Sequence, residues 1–492
     1  MLTQIEIDGF KTFKDFKVEL APFQVIVGPN GSGKSNLFDA LQLLSRLAEM
    51  DLRTAFQGLR GDADELFMKF PNGKSVDQIR VAVEILVDRK VQDDLGREVT
   101  LKYTRLRYEV DIVRSVDEYG LDRLYVTHES LRTIPGSEDK WCEKYGLSAN
   151  SGWLPSFPER ELVFIATTSR KSSVVAEAAF AYEPDRPESL PISGGLIINL
   201  YQDGQLPGES FKAERMKRTV VSSITDSGYA HAFAVHEEMR SWKVIHLNPE
   251  SLRKPSSIKG PFTLAKDGGN LPATLARMQA EDKFALTDIS RDMGNLVPDL
   301  ISVELNKDEI HNEYTIWTKY IDGYTFSSPV LSDGTLRLLA LATLSNDLQF
   351  HGVLCLEELE NGIDPSRFNY LAHLLHKLAT DFKDEGQIEE PLRQVLITSQ
   401  SPALISQQEV LDALLFAHTV TRVDPGKHPP LEITSIEPVI TPNTQPQAKL
   451  TTDDDESRGI YTIDQVRKYL KDENLNEARD QLERVRRILN ER

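Results

Sequence analysis

An α/β fold is predicted by three stretches of this 492-residue sequence, each an apolar strand that ends in polar residues suited to ions. The first, Phe23-Gln24-Val25-Ile26-Val27, is a run of β-formers of the kind a buried parallel strand needs. It leads into Gly28-Pro29-Asn30-Gly31-Ser32-Gly33-Lys34-Ser35, after which residues 36 to 44 carry apolar side chains at helical spacing without Gly or Pro. The second is Gly352-Val353-Leu354-Cys355-Leu356, ending in Glu357-Glu358. The third, Gln394-Val395-Leu396-Ile397-Thr398, ends in Ser399-Gln400-Ser401-Pro402.

The first loop fits the phosphate-binding pattern G-x-x-x-x-G-K-[ST]. Strand, glycine loop and helix together aim backbone N–H groups and a positive helix end at a polyphosphate. Gly28, Gly31 and Gly33 let the main chain curl close to a β-phosphate. Lys34 supplies charge to the β- and γ-phosphates, and the Ser35 hydroxyl ligates Mg²⁺. Asn30, Ser32 and Asn36 complete the loop positions expected against the nucleotide. The bound groups expected are ATP and Mg²⁺.

Two adjacent carboxylates at the end of an apolar strand call for a divalent cation, the alternative being a surface acidic loop. In the first reading Glu357 holds Mg²⁺ and Glu358 polarises the attacking water as general base. Upstream, Leu331-Ser332-Asp333-Gly334-Thr335-Leu336-Arg337 heads an apolar helix over 338 to 344. Ser332 and Gly334 there form a second anion trap or, in the plainer reading, a helix cap. Asp364-Pro365 begins a helix expected to run to about residue 382.

Length predicts two or three structural units. At 40% hydrophobic and 27% charged residues the composition is globular, and no run reaches the ~18 apolar residues of a membrane span. The start lacks the basic and apolar regions of a secretory signal, and two distant cysteines, Cys142 and Cys355, exclude a disulfide framework and suit a reducing cytoplasm, the location expected. The net charge of −19 argues against unaided DNA binding, which needs a basic footprint. Local basic spots, at Arg170-Lys171, Lys212 to Arg218 and Arg253-Lys254, read as solvated faces or as a confined DNA contact.

Residues 1 to 8 alternate as a strand and lead into Gly9-Phe10-Lys11-Thr12-Phe13, and Phe16, Val18 and Leu20 mark a second strand. Arg60 lies in a polar glycine turn before the apolar Leu66-Phe67. Alternation over 78 to 114 and 121 to 133 predicts an antiparallel meander. Residues 135 to 160, with Pro, Gly, Ser and two tryptophans, read as an irregular loop or small lid. The expected organisation is an N-terminal half over 1–90, an inserted β-rich lid region over 91–240, a C-terminal half over 241–440, an acidic linker over 441–460 and an amphipathic helical tail over 461–492. That tail is expected to dock on a sister subunit or partner rather than on its own chain.

Taken in order, the motifs G-F-K-T-F, G-P-N-G-S-G-K-S, L-S-D-G-T, E-E-L-E-N-G-I-D-P and T-S-Q-S-P resemble the ABC-type ATPases of the SMC, RecF and OLD class, in particular bacterial AAA_21-like ATPases. The resemblance covers roughly 1 to 90 and 240 to 440. It implies an ABC head with ATP sandwiched between two subunits, the Ser332–Gly334 turn facing the γ-phosphate held by the other copy and Asp364 crossing the interface. It further implies that Lys11 touches the phosphates or ribose, a plain turn lysine being the alternative, and it makes Arg60 a candidate contact. Gln400 stands where the family has histidine and Glu357 where aspartate is commoner. Glutamine can hydrogen-bond the γ-phosphate or the water but cannot become cationic, which argues against fast turnover.

Many such ATPases belong to anti-phage defence systems in which a nuclease or toxin is the effector. The resemblance therefore implies a homo-oligomer switched by ATP, with a protein effector and DNA as further partners. A scaffold or sensor that binds ATP without much hydrolysis, and a RecF-like repair ATPase, are the rival readings. OLD relatives carry a C-terminal nuclease domain, for which the chain after residue 440 is too short.

Overall fold

The computed structural model describes residues 1–116, 120–149, 151–169, 196–202, 206–213, 216–423, 430–441 and 461–471. Arg170-Lys171, Arg215, the acidic run 453–456 and the tail after residue 471 lie outside the described residues.

The chain opens with β1 (Leu2–Asp8), buried continuously from Leu2 to Ile5 and again at Ile7, and β2 (Phe16–Glu19), where buried Phe16 and Val18 alternate with exposed Lys17 and Glu19. β3 (Phe23–Val27) is buried throughout, and α1 (Lys34–Glu49) starts from Gly33, held left-handed at φ 92°. α2 (Leu52–Gln57) is capped by Asp51 and leads to β4 (Gln78–Leu86). A hairpin of β5 (Lys90–Gln92) and β6 (Glu98–Thr100) precedes the long strands β7 (Arg105–Val116) and β8 (Asp122–Thr133). Then follow α3 (Lys140–Lys144), β9 (Val163–Ser169), β10 (Leu196–Gln202), β11 (Leu206–Lys212) and α4 (Ala230–Ser241).

Eight of these strands form one antiparallel sheet in the order β11-β10-β9-β8-β7-β4-β1-β2, while β5 and β6 pair with each other. β4 pairs with β1 on one side and β7 on the other, so the sheet runs across residue 90 without a break. The described part of the segment expected as an inserted lid therefore extends the N-terminal sheet, and α4 at its end packs on α1. Alternation reveals a strand but not its neighbour, so an extension and an insertion look alike in sequence.

Residues 135–160 also differ from a lid. Trp141 and Trp153 are buried with Met1, Leu86 and Leu392, and the Phe382 ring stands edge-on to both indoles at 5.7 and 5.0 Å. Trp141 Nε1 donates to the Leu20 carbonyl at 2.9 Å, and buried Arg105 pairs with Asp139 at 2.6 Å. The segment is a plug that pins the antiparallel sheet to the second half.

That half contains β12 (Lys243–Ile245), α5 (Pro249–Leu252), β13 (Ser256–Ser257), α6 (Leu271–Glu281) and α7 (Ala285–Leu296). β14 (Leu300–Asp308), β15 (Glu313–Tyr320) and β16 (Thr325–Ser327) form a small sheet with β13. α8 (Asp333–Asn346), β17 (Gly352–Glu357), α9 (Phe368–Leu378) and β18 (Arg393–Ser399) follow. α10 (Gln408–Leu411), β19 (Leu414–Arg422), β20 (Leu431–Ile440) and β21 (Tyr461–Thr462) complete the described chain. The helix expected to reach residue 382 begins as a 3₁₀ turn, Pro365–Arg367, and stops at Leu378, where Thr380 donates its N–H to Arg393 instead.

The second sheet has the order β12-β17-β18-β3-β19-β20-β21, with β12 to β19 parallel. Its two faces feed separate cores, as the period-2 geometry of strands demands. Ile26, Val353, Cys355 and Leu396 join α1 and α4, whereas Val25, Val27, Leu354, Leu356 and Ile397 join α6 to α9. Helices on both faces of a parallel sheet give the α/β fold expected.

The start of the tail corrects an expectation. Tyr461 and Thr462 pair with Val439 and Ile440, and Val466 and Leu470, on the helical residues 463–471, are buried in this chain's own core. The open edge of β20 and the Phe416 ring, 4.9 Å from that of Tyr461, receive the segment before any partner is needed. Among the described residues no helix is long and apolar enough to cross a membrane.

Candidate nucleotide site

β3, β18 and β17 lie side by side in parallel, so Val27, Ser399 and Glu357 end at one edge of the sheet. Ligands of open α/β sheets bind at that carboxyl edge. The loop after β3 supplies the cradle. A Cβ on Gly28 would stand 2.2 Å from the Ala417 carbonyl and 2.9 Å from Ser32 Oγ, and one on Gly33 would meet Thr434 Oγ1 at 2.0 Å. Thr434 is itself pinned by Thr12, whose hydroxyl lies 2.7 Å away and accepts from Asn36 Nδ2. The loop is thus backed by β20 and fits only without side chains at these glycines. Lys34 Nζ donates to the Gly28 and Pro29 carbonyls at 2.7 Å, which holds the ammonium inside the loop.

Gln400, just past β18, joins two loops. Its Nε2 donates to Asn30 Oδ1 at 2.6 Å and to Glu358 Oε1 at 2.7 Å. Glu358 takes the left-handed conformation at φ 46°, a costly one for a side chain with a Cβ, and its N–H donates to Thr398 across the strands. Glu357 lies beside it with Oε1 buried and lacking a hydrogen-bond partner among the described residues. His246 Nδ1 stands 3.3 Å from the other Glu357 oxygen.

Arg60 brings Ser35 close to Glu357. Its Nη2 donates to the Ser35 carbonyl at 2.9 Å and lies 3.9 Å from Glu357 Oε1, while Nε and Nη2 grip buried Asp39 at 3.1 and 2.9 Å. Burial pulls the Arg60 pKa down, but the Asp39 hydrogen bond and charge, with Glu357, leave it raised overall. Lys11, at φ 48°, donates to Asp39 Oδ2 at 2.6 Å and to the Arg60 carbonyl at 3.2 Å. Two cations therefore converge on one carboxylate at the rim of the phosphate loop.

Ser332, Gly334 and Asp364 make their contacts elsewhere. Ser332 Oγ caps α8 by accepting from Thr335 N at 3.1 Å, which is the cap reading, and leaves Ser332 exposed. A Cβ on Gly334 would meet the Gly362 carbonyl at 2.2 Å. Asp364 accepts from Ser366 N at 2.9 Å. Arg253, one of the basic spots, holds this turn by donating to Leu331 O and Asp333 Oδ1 at 2.8 and 2.6 Å.

The sequence reading missed Asp39, His246 and Glu360. Asp39 had a signal, lying four residues after Ser35 on the same helix face. His246 had one too, since it follows a buried parallel strand at its carboxyl end. A divalent cation suits the donor set, because Glu357 and Ser35 offer hard oxygens and one buried Glu357 oxygen is unsatisfied. Ser32 Oγ, likewise buried without a hydrogen-bond partner among the described residues, suits a phosphate oxygen.

Sheet, cradle and acidic strand end are those of a nucleotide-binding ATPase domain, and comparison with known proteins gives it SMC- and RecF-like relatives. Residues 155–406, just over half of the chain, match the AAA_21 family model, described as "AAA domain, putative AbiEii toxin, Type IV TA system", and the chain belongs to that family. Residues 1–127 match a second model, AAA_15, an AAA ATPase domain. The chromosome partition protein Smc of Bordetella petrii is 29% identical over 133 residues, 27% of this chain and 10% of that protein. The replication and repair protein RecF of Aliivibrio fischeri is 32% identical over 68 residues, 14% of this chain and 19% of that protein. The chain thus spans about a tenth of the length of the Smc proteins it matches. An SMC head solved with the C-winged helix domain of ScpA aligns over 88% of this chain and 97% of that chain, with 14% identity and a TM-score of 0.46.

Proposed function

We propose that the chain is a Mg²⁺-dependent ATP hydrolase whose nucleotide state switches two copies between a closed pair and separate heads. The observation that carries this reading is the Gln400 bridge, which ties Asn30 of the phosphate loop to Glu358 at the end of the acidic strand. The loop N–H groups, Lys34, Ser32 and Asn36 bind the phosphates. Ser35 and Glu357 would hold Mg²⁺, which would supply charge neutralisation to the phosphates when bound. Glu358 takes the proton of the attacking water, and Gln400 orients that water. Arg60 and Lys11 lie at the rim, where phosphates or ribose pass. Ser332, Gly334 and Asp364 line the surface that caps a triphosphate held by a second copy.

An effector such as a nuclease or toxin, with DNA as a further ligand, fits the family description, which names a putative toxin and a toxin–antitoxin system. Control of that effector in anti-phage defence, in the cytoplasm, is the setting we favour. The neutral Gln400 carboxamide, engaged with Glu358, favours a second reading in which the protein is an ATP-dependent scaffold or sensor that hardly hydrolyses. Phosphate release and light scattering decide between them. Wild type should release phosphate, Lys34→Ala should bind no ATP, and Glu358→Gln should bind ATP, lose roughly 10²–10⁴-fold in turnover and accumulate as a dimer. Absence of wild-type turnover despite ATP binding selects the scaffold. A salt-dependent DNA titration tests a RecF-like role.

A further inference from the structure

Between the nucleotide edge and the Ser332–Gly334 turn lies the short turn 358–363, and one of its side chains reaches back to the sheet. Glu360 Oε1 accepts from Ser399 Oγ at 2.6 Å and from the Gln400 N–H at 2.9 Å, while its second oxygen is buried with no hydrogen-bond partner among the described residues. Ser399 Oγ in turn accepts from Ser401 N at 3.0 Å, so one carboxylate organises the whole end of β18. On its other side the same turn is locked to α8. The Gly362 carbonyl fills the space that a side chain at Gly334 would need, and Arg337 Nη1 donates to the Asn361 carbonyl. Ile363 N–H donates back to the Glu360 carbonyl at 3.1 Å, so the turn moves as a unit.

We infer that Glu360 is a positioning residue which couples the Gln400 end of the nucleotide site to the placement of the Ser332–Gly334 turn. The inference deepens the switch reading and rests on it. Gln400 holds Glu358 and Asn30 through its side chain and Glu360 through its backbone. A shift of Gln400 on nucleotide binding is therefore transmitted to Glu360, then along residues 361–363 to the Gly334 backbone. Hydrogen bonds and close packing supply this connection within one chain, so each copy reports its own nucleotide state on the surface it offers the other.

The variants are Glu360→Ala, which removes the acceptor, and Glu360→Gln, whose carbonyl oxygen can take both donors. Four quantities are read with Mg²⁺ and a slowly hydrolysed ATP analogue or ATP: nucleotide affinity, analogue-induced dimerisation, hydrogen exchange at 332–337, and thermal stability. Wild type should show slowed exchange at 332–337 on binding the analogue, even at concentrations where it remains monomeric. In Glu360→Ala that response should vanish and dimerisation should weaken about tenfold, a coupling of ordinary size, at unchanged nucleotide affinity. Glu360→Gln should restore both.

An Ala variant that binds, dimerises and exchanges like wild type overturns the role of Glu360 alone. Loss of nucleotide affinity in step with thermal stability overturns it too, because it shows a merely structural residue. A wild type that binds no nucleotide removes the switch reading itself, which the affinity measurement reports separately.

Discussion

The Gln400 carboxamide lies 2.7 Å from Glu358, with its other hydrogen directed to Asn30 at 2.6 Å. Both of its N–H donors are thus committed to groups that a water or phosphate must also meet. A neutral amide holds the general-base candidate in place but adds no charge to the reaction. Gln400→His should raise phosphate release roughly tenfold near neutral pH and introduce a titration near pH ~6.5. Steady-state release between pH 6 and 8.5 checks this, with Gln400→Ala as the control that should fall below wild type.

The approach of Gly334 to the Gly362 carbonyl leaves no room for a methyl group. Gly334→Ala should push the head of α8 away from the 361–363 turn while leaving the phosphate loop intact. Nucleotide binding by the monomer should persist, and ATP-induced dimerisation should fail. Light scattering with and without ATP, beside a fluorescent-nucleotide titration, separates the two effects.

Trp141 joins the antiparallel sheet to the second half through its ring and its bond to Leu20. Trp141→Ala should cost about 3–5 kcal/mol, the usual range for emptying such a site. Denaturant unfolding measures it. A lid tryptophan would instead leave stability unchanged and alter nucleotide affinity.

Glu129 is fully buried on β8, where it accepts from the Val220 and Val221 N–H groups at 2.6 and 2.9 Å and from Tyr108 at 3.2 Å. Burial outweighs these bonds and pushes its pKa up to about 7. Because the folded value is the raised one, its contribution is complete below the unfolded pKa of ~4.5 and is lost as pH climbs to about 7. Relative to Glu129→Gln, wild type should lose roughly 3 kcal/mol between pH ~4 and pH ~8. Urea unfolding at several pH values tests the sign. A wild type that gains on the variant as pH rises would show a carboxylate ionised throughout.

The phosphate loop and the acidic end of β17 were legible because their chemistry demands particular residues at fixed spacing. That spacing names Lys34, Ser35, Glu357 and Glu358 as candidates from the sequence alone. Partners in space were less visible. Asp39 gathers Lys11 and Arg60 from opposite ends of the first 60 residues, and no local pattern encodes that meeting. The alternation in β7 and β8 gave two strands without saying that β4 and β1 would continue them. Tryptophans among Pro, Gly and Ser suggested a loose segment, yet Trp141 and Trp153 are buried beside Phe382, a residue more than two hundred positions away. The tail showed its amphipathic face but not the edge of β20 that receives it.

The strand bearing the phosphate loop is flanked by β18 and β19, both made from chain some 370 residues later. While the polypeptide is being synthesised, Phe23–Val27 must wait without either neighbour for on the order of tens of seconds at ordinary elongation rates. A prematurely terminated product lacking β18 cannot assemble a pocket for ATP, however intact its first hundred residues. Competence for nucleotide thus arrives late and all at once, when β18 and β19 close on β3.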